Sequence, residues 1–552
     1  MATKWKLIVP GIIAGAVAIG GIAAYFYLKV IPAREGTSPV ASAEIVPDEA
    51  LMSGYIDITS DSWEKLKDFG TPEAQDIVFG GFETMTIDIK KQLAKEKLDY
   101  DKDIKPWLGS VTFAMVPGAE KAPEPNVLMV VGIKDKVEAL NFANKLKDKD
   151  DLKVKEVEHK GVKILEIDSG SESPGFVAIL ENHLALSDKQ DVVKKAIDSS
   201  KGEPSLASDG ETVKMLSESV KIDNPVGQFF IPNYGKLVEQ IGALDSSTEF
   251  PAQLQDQLKQ IKSVSVGMGI DDEGIRFRGI TKVDPDTFKW EFKPVPGKII
   301  SQFPANTMLS ANAGNLSSQW NYAVEQFDSV PEFKKGLDQV RQQIRSATQL
   351  DLDQDIIGWM DKEVGLALIP GNEGLLQSVG FGGTFVFKTS DRAKAEKTFA
   401  KLDDLVKQSN VPVSKNKVGT VEVTQWQFPP TGETLAGHGW LDNETVFLAI
   451  GDPIIKVMAA KPDQTLNQSK VFNSVTKSLP QSNSGYFYVN MDEANKVILS
   501  NPALSSQGVI TPEVEAVLKS IRGLGVAGTQ MDKSTFSSDF LLALKPKSEA
   551  KQ

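Results

Sequence analysis

Cysteine is absent from the 552-residue chain, and histidine occurs only three times, at His159, His183 and His438. The first absence excludes disulfides, thiolate nucleophiles, iron–sulfur clusters and cysteine-type zinc sites. The second leaves no HxxxH or HxH spacing, so each histidine reads as an ordinary strand or loop residue. An excess of positive charge is missing too. The formal net charge is −13, a sign that repels phosphate backbones and argues against a nucleic-acid partner. No GxxxxGK[ST], GxSxG or HExxH occurs, so the familiar NTPase, hydrolase and metalloprotease signatures are lacking. The one GxGxxG match, Gly523 to Gly528, sits inside an expected strand near the C-terminus, where a dinucleotide fingerprint needs a strand before it and a helix after. The chain is therefore read as a non-enzyme, with no catalytic residue, metal ligand or cofactor assigned.

Long apolar runs are scarce as well. A single one, Leu7–Leu28, is free of charge over 22 residues, flanked by Lys4 and Lys6 on one side and Lys29 and Arg34 on the other. As a helix it measures about 33 Å, enough for a hydrocarbon core. It is predicted to be a transmembrane signal-anchor at 7–28 following a cytoplasmic tail at 1–6. Gly11 and Gly15 form a GxxxG that allows close helix packing. A cleaved signal peptide ending at Ala41-Ser42-Ala43 is the competing reading. Residues 29–46 read as a linker, and the body is placed in the periplasm or thylakoid lumen.

What the chain has in plenty is repetition, at a spacing near 255 residues. LDYDKDIKPWLGSVTFAMVPG at 98–118 answers LDLDQDIIGWMDKEVGLALIPG at 350–371. The first block carries Asp99, Asp101, Asp103, Trp107, Pro117 and Gly118; the second carries Asp351, Asp353, Asp355, Trp359, Pro370 and Gly371. Further blocks follow in the same order: 127–146 with 383–402, 183–196 with 447–460, 227–233 with 485–491, and 254–269 with 514–529. The body is thus predicted to be two homologous α+β domains, 47–285 and 299–546, joined by a linker at 286–298 and ending in a disordered tail at 547–552. Alternating apolar stretches at 161–168, 176–180 and 264–270 predict half-buried strands, and 134–147, 188–198 and 392–407 predict helices. Hairpin-type turns make each sheet largely antiparallel.

The alternating aspartates invite a calcium reading. An EF-hand, however, needs Gly at position 6 and Glu at position 12, where Ile104 and Ser110, or Ile356 and Lys362, stand instead. The expectation is that the last Asp of each triplet caps a short helix carrying the Trp, with the others solvated. The acidic pairs Asp271-Asp272 and Asp403-Asp404 are read as solvated turns or helix faces. Phe229, Phe230, Tyr486, Phe487 and Tyr488 are read as core, with a pocket for lipid or pigment as the alternative.

At the D-x-D-x-D-I-x-x-W-[LM] block with its following strand and Pro-Gly, the chain resembles the bacterial domain-of-unknown-function family numbered 3352. The resemblance covers nearly everything after residue 46. It implies a membrane-anchored, internally duplicated protein of cyanobacterial type and carries no activity with it. The functional expectation is a membrane-anchored structural or interaction protein with a protein partner, supporting envelope or photosynthetic-complex assembly or maintenance. The alternatives are a membrane-tethered carrier or sensor of an apolar ligand, and an enzyme with an unrecognised carboxylate site.

Overall fold

The computed structural model describes residues 38–77, 90–91, 93–94, 98–118, 124–147, 153–168, 174–244, 258–328, 331–500 and 510–550. The chain divides into two compact units. The first runs to Asp271, without 68–74 and with Phe277–Asp284; the second comprises Asp68–Ala74, Asp272–Arg276 and everything from Pro285 onward.

In the first unit the strands are β1 Met52–Asp57, β2 Leu108–Val116, β3 Asn126–Ile133, β4 Lys153–His159, β5 Val162–Asp168, β6 Gly175–Leu180, β7 His183–Ser187, β8 Pro225–Ile231 and β9 Ile261–Asp271, and β10 Gly274–Val283 belongs to it from Phe277 onward. All the neighbours with a resolved register are antiparallel, in the order β4-β5-β6-β7-β3-β2-β1-β8-β9. Helices α1 Lys136–Lys147, α2 Gln190–Ser200 and α3 Gly210–Ser219 pack on this sheet. Strand alternation decides which side chains enter which layer. Val111 and Phe113 of β2 lie against a core of Trp107, Met129, Phe142 and Leu186, while Ala114 and Val116 enter a second core with Val193, Ile197 and Leu216. Residues 38–46 belong to this second core. Pro39–Ala43 is a short helix with Ser38 as its N-cap, and Ala43, Ile45 and Val46 are buried.

In the second unit the strands are β11 Leu309–Gly314, β12 Glu363–Pro370, β13 Phe381–Lys388, β14 Val413–Val418, β15 Val421–Gln427, β16 Thr434–Trp440, β17 Thr445–Ile450, β18 Tyr486–Asn490, β19 Ile521–Gln530 and β20 Thr535–Leu544. Their order, β14-β15-β16-β17-β13-β12-β11-β18-β19-β20, is again antiparallel throughout. Its first nine strands match the order of the first unit, and β20 pairs with β19 as β10 pairs with β9. Helices α4 Leu316–Asp328, α5 Pro331–Thr348, α6 Arg392–Gln408, α7 Asp452–Ala460, α8 Lys470–Thr476, α9 Met491–Ser500 and α10 Pro512–Ser520 complete it.

The registers fix equivalent positions in the two sheets. Val111 opposes Val131 as Val364 opposes Phe387, and His183 opposes Gly132 as Thr445 opposes Lys388. Even single hydrogen bonds recur: Ile133 N–H donates to Asn182 O at 2.8 Å, and Thr389 N–H to Glu444 O at 2.9 Å. The glycines of the GxGxxG match lie within β19, and two of them, Gly523 and Gly525, serve packing, whereas Gly528 faces open space. A Cβ on Gly525 would stand 2.7 Å from the Val475 carbonyl of α8, and one on Gly267 of β9 would stand 2.0 Å from the Ser219 carbonyl of α3. A helix can seat on either strand only where the strand has no side chain.

One expectation is corrected here. Among the described residues no helix is long and apolar enough to cross a membrane. The segment 7–28, with Gly11 and Gly15, lies outside the described residues. The longest helices described are α5 and α6, of 18 and 17 residues, and each carries charged side chains along its length, such as Lys334, Asp338 and Arg341 in α5. The transmembrane helix, the single-pass topology with its periplasmic or lumenal body, the membrane as partner, and the anchored structural or carrier roles all rested on that span. No described helix supports any of them.

Candidate functional site

The repeated aspartate blocks are built first by local hydrogen bonding. Asp99, outside the turn and extended, accepts from the N–H groups of Asp101 and Lys102, and heads a π-helical turn over Tyr100–Ile104. Asp103 reaches back to the Asp99 N–H at 2.7 Å. The second copy repeats the pattern. Asp351 accepts from the Asp353 and Gln354 N–H groups at 3.0 Å each, and Asp355 takes the Asp351 N–H at 2.9 Å. The first Asp is therefore the N-cap and the last closes a reciprocal box, whereas the sequence reading gave the cap to the last. The middle residues are also engaged: Asp101 by Lys90 at 2.7 Å, and Asp353 by Arg341 at 2.8 Å and by the Trp320 indole at 2.6 Å. Each turn presents a buried tryptophan to its core. Trp107 stacks on Phe142 with centroids 5.6 Å apart, and Trp359 meets Phe387 edge-on at 5.3 Å. Pro117-Gly118 and Pro370-Gly371 close the strands that follow. These side chains are engaged by backbone N–H groups, by neighbouring cations and by the core. Among the described residues no group of three or more His, Asp or Glu is arranged to hold a metal ion.

The other sequence candidates disperse. Asp403 is nearly buried on α6 and accepts from the His438 imidazole at 2.9 Å and the Trp426 indole at 2.8 Å, while Asp404 is exposed. Burial opposes ionisation of Asp403, but the His438 and Trp426 hydrogen bonds outweigh it and hold the carboxyl below its usual range. The cluster ties α6 to the sheet, with Phe399 stacked on His438 at 4.5 Å. Asp271 is buried and Asp272 exposed. Of the aromatics, Phe230 and Tyr488 are core, Phe229 and Tyr486 are half-buried and Phe487 is exposed.

One concavity rich in charged side chains was not indicated by any sequence motif. It is a cleft of about 350 Å³ in the second unit, between the segment Glu291–Lys298 and the ends of β11, β12 and β13. That segment is an ordered strap. Val295 N–H donates to Asn483 O at 2.9 Å, Phe292 N–H to the Gln530 side chain at 2.8 Å and Lys289 N–H to the Tyr322 hydroxyl at 3.0 Å. Phe288 and Phe292 pack on Phe536, and Trp290 packs on Tyr322. Gly314 makes room for it, since a Cβ there would lie 2.6 Å from the Val295 side chain.

At the floor lies Glu363, the first residue of β12 and only 5% exposed. Its carboxylate accepts from the Asn312 amide at 3.2 Å and from the Ile299 N–H at 3.3 Å. Burial pushes its pKa above the ordinary glutamate value, and the Ile299, Asn312 and Lys298 hydrogen bonds together with Lys388 only partly counter this. Around it stand Lys293, Lys298, Lys362, Lys388, Glu291 and Glu444. Glu444 pairs with Lys362 at 3.0 Å and with Lys388 at 3.8 Å, and Glu291 with Lys293 at 3.1 Å.

None of the central charges is shared with the first unit. The registers place Ser110 where Glu363 stands, Tyr55 where Asn312 stands, Gly132 where Lys388 stands and Asn182 where Glu444 stands. A group needed to build the common fold would be expected in both sheets. The difference between the copies at these positions, read from the strand registers, marks the cleft.

Among curated proteins none matches the chain. Two solved structures of TP0453 are similar over part of it. Crystal form III is 11% identical and covers 45% of this chain and 82% of that one at a TM-score of 0.26; crystal form IV is 12% identical over 44% and 79% at the same score. Scores that low carry neither fold nor function. The family model for a protein of unknown function, DUF3352, matches residues 11–544, nearly the whole length, and the chain belongs to that family.

Proposed function

We propose that the second unit is a binding module for a small zwitterionic solute, of the size and charge of an amino acid or a short peptide end, and that it acts by binding rather than by catalysis. The observation that carries this reading is Glu363. A buried carboxylate with an elevated pKa is costly to keep ionised unless a positive group comes to it. An incoming ammonium supplies that group, and the solute's carboxylate meets the Lys298 and Lys388 ammonium groups nearby. The cleft falls in the size range of small-molecule sites. The chain is read as two copies of one domain in which the second gained these charges, and the strand-by-strand correspondence supports that reading.

Isothermal titration of the full chain with a panel of free amino acids and dipeptides tests the proposal. At least one should bind, and Glu363→Gln and Lys388→Met should each abolish the heat while leaving the circular dichroism unchanged. A panel without a binder at millimolar concentration, or binding indifferent to both substitutions, would sink it.

A further inference from the structure

On the other side of the strap's Val295-Pro296 lies a second, larger cleft in the same unit, of about 520 Å³. Its chemistry is different. The rim carries the amides Asn467, Asn473 and Gln481 and the hydroxyls of Ser474 and Tyr486, and the one charged residue lining it is Lys477. The inner wall is apolar, formed by Ile300 and Phe472, both buried, with the strap's Val295.

Much of the rim's hydrogen-bonding capacity faces outward. Asn473 donates to Asn467 O only at 3.3 Å, and Gln481 donates to Leu479 O at 3.3 Å, leaving both amide carbonyl oxygens for a ligand. Asn467 uses its carbonyl oxygen on the Thr465 hydroxyl and keeps its two N–H donors. Tyr486 is half-buried and edge-on to Phe472, and its hydroxyl reaches Pro480 O at 3.5 Å and also meets the Asn483 side chain. Asn483, by contrast, is buried and spent on shaping the rim: it donates to Pro480 O at 2.6 Å and accepts the Gly485 N–H at 2.9 Å.

We infer that this cleft is a saccharide-binding site. A planar amide offers a donor and an acceptor side by side, the pattern that a pair of neighbouring sugar hydroxyls matches. A pyranose also has a C–H face that needs an apolar wall, here Phe472, Ile300 and Val295. Near-absence of charge in the lining selects against phosphorylated or carboxylated ligands, which gain most from paired cations. The site uses none of the charged residues of the zwitterion cleft, so either reading survives failure of the other.

The test uses the full chain with three probes, maltotriose, N,N′,N″-triacetylchitotriose and adenosine, followed by saturation-transfer NMR and titration calorimetry. One of the two saccharides should bind. The double variant Asn473→Ala/Gln481→Ala, altered at two exposed positions, should weaken it roughly tenfold or more, the scale of one or two neutral hydrogen bonds. Glu363→Gln should leave saccharide binding intact. Absence of saccharide binding at millimolar concentration, a preference for adenosine, or an affinity unchanged in the double variant would overturn the inference.

Discussion

Lowering the pH from about 7 to about 4 tests how tightly the first unit encloses one imidazole, because there the folded and unfolded states differ in protons bound. His183 opens β7, is 5% exposed, and its Nε2 has no hydrogen-bond partner. Burial without compensation lowers its pKa from 6.5 to about 4. In the unfolded chain the imidazole takes up a proton near 6.5, whereas the folded chain resists until about 4. The stability contributed by the neutral ring is therefore complete above 6.5 and is lost as the pH falls between those values. At about 1.4 kcal/mol per pH unit the whole window corresponds to about 3 kcal/mol, an upper bound for a group that relaxes or admits water. His183→Thr places the residue of the equivalent position, Thr445, into the first unit and removes the titrating group. Two readouts serve. With only three histidines in the chain, histidine-selective NMR identifies the His183 ring as the resonance lost in the variant, and it should titrate well below the ordinary value. Urea unfolding should lose stability on acidification in the parent by about 3 kcal/mol more than in the variant. A His183 ring that titrates near 6.5, or equal pH dependence in the two proteins, would refute the reasoning.

Four further outcomes follow from the same geometry. Asp99→Ala and Asp351→Ala each remove an N-cap, and hydrogen exchange should report each π-turn opening more readily by about 1 kcal/mol. Trp107→Phe should cost more than Trp359→Phe in chemical denaturation, because the Trp107 indole donates to Asp103 O at 2.8 Å whereas the buried Trp359 indole has no partner. Met129→Glu should destabilise the protein severely and Phe385→Glu hardly at all, since these equivalent sheet positions are 2% and 45% exposed. Glu363→Gln should be neutral or stabilising at neutral pH. A carboxyl whose folded pKa is raised weakens the folded state as the pH climbs through that value, so marked destabilisation would reveal a structural role instead.

Much of the architecture was legible because it depends on short-range periodicity. The alternation in Val162–Asp168 or Gly175–Leu180 and the 3.6-residue pattern of Arg392–Gln408 are local signals that tertiary packing did not override. The order of the caps was not legible. Three aspartates at alternate positions are compatible with a cap at either end, and only the extended backbone of Asp99 and Asp351 decides which carboxylate meets the free N–H groups. The strap at 288–297 read as a linker because Pro and Gly punctuate it. Its order comes from Trp290, Phe292 and partners such as Tyr322 and Phe536, which lie far off in sequence. The cleft was missed for a related reason. Glu363 and Lys388 come from the ends of different strands and Glu444 from the turn before β17, and they share no motif spacing. Lining up the two copies by sequence sets Gly132 opposite Lys388 but Asn182 opposite Val446, and only the strand registers bring Asn182 and Glu444 to one place.

Proton counting reads out whether Glu363 accepts a cationic group from a bound solute. Calorimetric titration of a zwitterionic ligand at mildly acidic pH, in two buffers of different ionisation enthalpy, gives the protons exchanged on binding. Protons should be released, as the arriving ammonium draws the Glu363 carboxyl into its ionised form, and that release should disappear in Glu363→Gln. Binding with no proton release, or with the same release in the variant, would contradict it.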